Sequence, residues 1–254
     1  MTAPLLSAVG VTKRYAGIVA LQNVSLEVGP AEFAAVIGPN GAGKSTLFDC
    51  LTGVQRPDRG HVHFDGRPVD GLRPAARARA GMARTFQRIE LFGGMSVLDH
   101  LLVADRARTR RGGLLTDVFT GSRPSSDELD RCSAVLELLG LQEWAERPAE
   151  SLTLGRGRLV ELARALMCEP KLLFLDEPSS GLDRHETDEM GDALLRVQSE
   201  RGLAILLIEH DVPLVQRLAE RMYVLDYGEL IAAGPTDEVL ADQKVRVAYL
   251  GAST

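Results

Sequence analysis

Residues 38–46 read Gly-Pro-Asn-Gly-Ala-Gly-Lys-Ser-Thr, the pattern G-x-x-x-x-G-K-[ST]. This stretch constrains the fold more than any other, because the pattern works only at a turn from a strand into a helix. Its flanks supply that context: Phe33–Ile37 is apolar and β-like, and Leu47–Leu51 reads as helix. The glycines let successive backbone N–H groups face one point and form an anion nest. The following helix adds its positive N-terminal end. Gly38, Pro39, Asn40, Gly41, Ala42, Gly43, Lys44, Ser45 and Thr46 are therefore assigned to phosphate binding. Lys44 suits the β- and γ-phosphates, and the Ser45 hydroxyl suits Mg²⁺.

The rest of the composition sets bounds. A chain of 254 residues, 45% hydrophobic and 25% charged, can bury a large core as one domain with an insertion. A net charge of −6 gives no reason to expect nucleic acid as a partner. Cys50, Cys132 and Cys168 are an odd, scattered set, which points to reduced core thiols in a reducing compartment. No apolar run approaches the ~20 residues of a membrane span. Met1–Gly10 lacks the basic-then-apolar order of a signal peptide. The expected location is cytoplasmic, with membrane contact only through partners.

Around the loop, Leu5–Tyr15 and Val19–Val28 read as strands joined at Ala16-Gly17. Tyr15 is either an edge-strand aromatic or a ring that stacks on a nucleobase. His61 and His63 share a strand face and are expected to be exposed, with no third metal ligand nearby. Pro74–Ala80 is a short helix, and Met82–Phe86 a strand leading into Gln87. Ser96 caps a helix to Arg106. The basic run Arg106–Arg111 is expected to be a solvated helix end or loop, with contact to an acidic partner surface or lipid headgroups as the alternative. Ser125–Glu128 resembles a capping box for a helix ended by Gly140. Further helices are expected over Arg158–Cys168, His185–Gln198 and Thr236–Leu250. Residues of about 90–160 are mostly helical between α/β flanks, a helical insertion in a parallel-sheet domain.

Three apolar strands end at polar residues: Ile37 at the loop, Leu175 at Asp176-Glu177, and Ile208 at Glu209-His210. Ligands of a doubly wound sheet bind at the carboxyl ends of its strands, so these residues should converge. Asp176 suits the Mg²⁺ shell. Glu177 is placed to polarise an attacking water, Gln87 to contact Mg²⁺ and that water, and His210 to hydrogen-bond the γ-phosphate. Taken singly, the acid pair also fits a helix cap and His210 a surface residue.

With these residues in family order and spacing, the sequence resembles an ATP-binding subunit of an ABC transporter. Ser180-Gly181-Leu182-Asp183 matches a further family motif, and Tyr15 matches the adenine-stacking aromatic. The resemblance implies an α/β P-loop NTPase (RecA-like) with a parallel-sheet core, an N-terminal antiparallel β part and an α-helical insertion. One ATPase domain would span 1–254, with 1–88 and 164–254 as ATP-binding core and 89–163 as insertion. It also implies a nucleotide-sandwich dimer in which ATP and Mg²⁺ on one subunit's loop are covered by the other's signature. That second ATPase is the same or a different chain. The signature here is Leu152-Thr153-Leu154-Gly155-Arg156 where the family reads Leu-Ser-Gly-Gly-Gln. Thr153, Gly155 and Asp183 would contact the nucleotide across the dimer.

Ala83-Arg84-Thr85-Phe86-Gln87, Leu91-Phe92, Met95-Ser96-Val97 and Val247–Gly251 resemble the branched-chain amino-acid importer group. That likeness implies transmembrane permease subunits, an extracellular or periplasmic solute-binding protein, and a position on the inner face of the cell membrane. Importers of urea and short amides, and a lipid-extracting ATPase, look similar.

Overall fold

The computed structural model describes residues 3–85, 90–109 and 123–249. Two sheets stand back to back. The first is antiparallel, in the order β2 (Ile18–Val28), β1 (Leu6–Tyr15), β4 (Arg59–Phe64), β5 (Arg67–Pro68). The second runs β10 (Glu229–Pro235), β9 (Arg221–Asp226), β3 (Phe33–Ile37), β8 (Ala204–Ile208), β7 (Leu172–Asp176), β6 (Met82–Arg84). Its strands are parallel except β10, which pairs antiparallel with β9.

The apolar runs of β3, β7 and β8 follow from a core on each side of this sheet. Ala34, Val36, Leu172, Phe174, Leu206 and Ile208 face the antiparallel sheet and the helix after the loop. Phe33, Ala35, Ile37, Leu173, Leu175 and Leu207 face the other helices. Alternate residues thus serve two cores, so every position must be apolar.

The helices are α1 (Lys44–Thr52), α2 (Pro74–Ala80), α3 (Val97–Thr109), α4 (Ser126–Leu139), α5 (Leu154–Leu166), α6 (Arg184–Arg201), α7 (Val212–Leu218), α8 (Thr236–Ala241) and α9 (Gln243–Tyr249). α3, α4 and α5 pack together through Leu101, Cys132, Leu136 and Leu159, which join the same core as the sheet. The Ser125 box forms as expected: Glu128 N–H donates to Ser125 Oγ at 3.3 Å, and Ser125 N–H to Glu128 at 2.8 Å. The Arg106 bond holds the Glu128 carboxyl down at about 2.

Several expectations need correction. α5 starts at Leu154 rather than Arg158, because the Thr153 hydroxyl caps it and draws the signature into its first turn. The C-terminal helix breaks at Asp242, whose backbone is extended. Cys168 is exposed, whereas Cys50 and Cys132 are core thiols. His61 is exposed and bonded to Asp70 at 3.0 Å, but His63 is half-buried. In the basic run, Arg106 pairs with Glu128 at 2.9 Å and Arg108 with the fully buried Asp105 at 3.2 Å. These two arginines hold α3 and its surroundings together; Arg110 and Arg111 lie outside the described residues.

Candidate functional site

The loop turns between β3 and α1 on three left-handed glycines, Gly38, Gly41 and Gly43. A Cβ at Gly38 would lie 2.1 Å from the Leu225 carbonyl oxygen, and one at Gly43 2.5 Å from that of Ala20. Glycine is required at both, since β9 and β2 press on the loop. Lys44 is buried, and its Nζ donates to the carbonyls of Gly38 at 2.7 Å and Pro39 at 3.0 Å. Its ammonium therefore lies across the loop. Burial lowers its pKa, and the charges of Glu177 and Asp176 oppose that shift. Asn40 and Ser45 are exposed, Pro39 and Thr46 half-buried, and Ala42 buried.

Asp176 closes β7 and is buried; its Oδ2 accepts from Arg84 Nη2 at 2.8 Å. The other guanidinium nitrogen, Nη1, donates to Asp49 on α1 at 2.6 Å. Sequence reasoning assigned Arg84 no site role. The available signal was a charged residue at the end of an apolar strand just before Gln87, which itself lies outside the described residues.

Glu177 has a left-handed backbone with φ 48°, which costs a non-glycine residue about 1–3 kcal/mol. Its N–H donates to the Ile208 carbonyl at 2.9 Å, and its own carbonyl accepts from Ser180 N–H at 3.1 Å. Glu209, fully buried, accepts from the N–H groups of Ser179 at 2.9 Å and His210 at 3.0 Å. The His210 ring is 57% exposed, with Nδ1 3.6 Å from the Glu209 carboxylate. Glu209 was a second omission; a carboxylate directly after a buried strand was its signal.

The loop, Lys44, Asp176 and Glu177 thus meet at the carboxyl end of the sheet, with His210 on the adjoining turn. The Ser45 hydroxyl and Asp176 carboxylate are hard oxygen donors of the kind Mg²⁺ takes alongside phosphates and water. Among the described residues no three His, Cys, Asp or Glu side chains cluster to hold a metal alone. The glycine cradle and these two oxygen donors suit a magnesium-bound nucleotide, whose metal would supply charge neutralisation at the phosphates.

Tyr15 ends β1 and is 41% exposed at a hairpin tip, with Lys13 Nζ 5.3 Å from its ring centroid. Thr153, Gly155 and Asp183 form a second cluster. Thr153 caps α5, and Asp183 caps α6 in a capping box with Glu186. Glu186 also accepts from Gly155 N–H at 3.2 Å, joining the two motifs. Arg156 stacks over Trp144 at 4.1 Å from the ring centroid.

A groove of about 490 Å³ is lined by Arg84, Glu161 and small apolar residues such as Ala78, Ala104 and Ala165. Burial raises the Glu161 pKa.

Comparison with known proteins agrees with this architecture. Residues 21–180 match the ABC transporter family model, and residues 229–253 match the branched-chain amino acid ATP-binding cassette transporter model. The chain is 41% identical over 255 residues to the high-affinity branched-chain amino acid transport ATP-binding protein LivG of Salmonella typhimurium, covering 99% of each. It is 37% identical over 254 residues to BraF of Pseudomonas aeruginosa, which carries the same description, again covering 99% of each. The ADP conformation of MJ1267, an ATP-binding cassette of an ABC transporter, superimposes with a TM-score of 0.86 at 30% identity, over 98% of this chain and 100% of that one. The chain belongs to the ABC transporter family, as an ATP-binding and ATP-hydrolysing subunit.

Proposed function

We propose that this subunit powers an importer of branched-chain amino acids. The reading of its site rests on one observation: Lys44, Asp176 and Glu177 meet where β3 and β7 end, within electrostatic reach of one another. In this reading the loop residues Gly38–Thr46 hold the phosphates, with Lys44 on the β- and γ-oxygens. Ser45, Gln87 and Asp176 hold Mg²⁺, and Tyr15 stacks on the base. Glu177 orients the attacking water and accepts its proton, while Gln87 and His210 steady the water and the γ-phosphate. Thr153, Gly155 and Asp183 serve the nucleotide of the second ATPase subunit.

Residues 89–163 act as a helical insertion on a core of 1–88 and 164–254. The groove beside it receives a segment of the permease subunits, which hold the ATPase at the inner face of the membrane. No helix among the described residues is long and apolar enough to cross a membrane. A solute-binding protein on the far side delivers the amino acid. The match of residues 229–253 and the names of LivG and BraF support this choice of solute.

Two measurements test the proposal. A folded Lys44→Ala variant should bind Mg-ATP at least about 100-fold more weakly, the scale of losing charge-assisted bonds to the phosphates. Wild-type affinity in that variant would remove the loop from the site. In vesicles carrying the assembled transporter, ATP should drive uptake of leucine, isoleucine or valine. Uptake of urea with none of the three would overturn the choice of solute.

A further inference from the structure

We propose that Arg84 is a positioning residue for the metal site. This rests on the reading that Ser45 and Asp176 face Mg²⁺. Those two residues sit on separate elements, Ser45 in the first turn of α1 and Asp176 at the end of β7. One side chain joins the elements. Arg84 donates from Nη1 to Asp49 of α1 at 2.6 Å and from Nη2 to Asp176 at 2.8 Å. Its Nη1 also approaches Thr52 Oγ1 at 3.5 Å, and its guanidinium lies 5.8 Å from the Phe48 ring centroid. Both partners are on α1, so the arginine is gripped by the helix that begins at the phosphate loop.

The chemistry calls for arginine. A planar guanidinium can hold two carboxylates at once in fixed directions, whereas an ammonium is a single point charge on a flexible stem. Arg84 and Asp176 are both largely withdrawn from water, with side-chain exposures of 13% and 7%, so their interaction is weakly screened. The bridge fixes the orientation of the Asp176 carboxylate and its spacing from α1. Arg84 touches neither nucleotide nor metal in this scheme; it acts through Asp176, as outer-shell partners of metal ligands do.

The test is the gain in nucleotide affinity that Mg²⁺ confers, measured by titrating the full chain with a fluorescent ATP analogue in Mg²⁺ and in EDTA. Arg84→Lys and Asp49→Ala should each lose about ten-fold of that gain, while affinity in EDTA changes by no more than about two-fold. Asp176→Asn should lose the gain, and adding Arg84→Lys to it should change nothing further. Asp49 is half-buried, so Asp49→Ala decides the matter if Arg84→Lys does not fold. An undiminished gain in the folded variants would overturn the proposal. So would equal losses in Mg²⁺ and EDTA, which mark a purely structural role. If Asp176→Asn keeps the full gain, the metal-site reading fails and takes this proposal with it. If only Asp176→Asn loses the gain, the metal site stands and Arg84 has no part in it.

Discussion

The Gly155 N–H donates to the Glu186 carboxylate at 3.2 Å, so the first turn of α5 is held by a residue from the first turn of α6. A Cβ at Gly155 would come within 2.9 Å of that carboxylate. Gly155→Asp therefore sets one carboxylate against another at the signature. The isolated chain should bind ATP as the wild type does, while hydrolysis by the assembled transporter should fall about 100-fold or more, the scale on which disturbing electrostatic stabilisation of reacting charge acts. Loss of ATP binding by the folded, isolated variant would place the signature in its own subunit's site.

Glu177→Gln keeps the size of the side chain and removes the charge that orients water. The loop and Lys44 contacts are untouched, so ATP should bind and persist. Turnover in the assembled transporter should drop about 100-fold or more, the lower end of the range for a general base. Size-exclusion chromatography should show a dimer with Mg-ATP that ADP does not produce. Wild-type turnover would remove Glu177 from the reaction.

Arg156 stands where the family has glutamine, and its guanidinium lies on the Trp144 ring. Arg156→Gln should cost about 0.5–1 kcal/mol of stability, a melting temperature lower by about 1–4 °C. ATP hydrolysis should remain near wild type. A collapse of hydrolysis with the melting temperature unchanged would give the arginine a role at the nucleotide instead.

His100 is buried, with Nδ1 2.7 Å from the Ser96 carbonyl and Nε2 accepting from Phe92 N–H at 2.9 Å. The second bond requires a neutral ring. Burial, aided by the charge of Arg164, lowers its pKa below the ordinary 6.5. The unfolded chain then binds the proton more readily than the native one. The contribution of His100 is complete above pH 6.5 and is lost as pH falls through the lowered native value. The melting temperature should drop from about pH 7 to about pH 5, and His100→Gln should flatten this part of the curve. Equal slopes in the two proteins would count against it.

The sheet core and the phosphate loop were legible because both are written in local chemistry. Two cores make β3, β7 and β8 apolar at every position, and the loop needs its glycines where β2 and β9 crowd it. Arg84 and Glu186 were less legible because their meaning lies in distant partners. Asp49 and Asp176 are 35 and 92 residues from Arg84, and Gly155 is 31 from Glu186. Spacing along a chain carries no signal for such pairings. The start of α5 was misjudged for a related reason: glycines at 155 and 157 oppose a helix locally, and the Thr153 cap and packing overrule them.

Glu177 donates its N–H to Ile208 at the end of β8, and Glu209 receives the N–H of Ser179 in return. The turns bearing Glu177 and His210 are thereby laced across two adjacent strands, whose separation of about 4.8 Å is set by the sheet itself. Residues carried on independent loops would have to find each other anew in every turnover. Here the backbones beneath the proposed base and its histidine neighbour are built as one rigid piece. In the proposed dimer, control of the reaction would then fall to what reaches that piece from outside, the nucleotide and the second subunit, so the enzyme would be switched by delivery rather than by alignment.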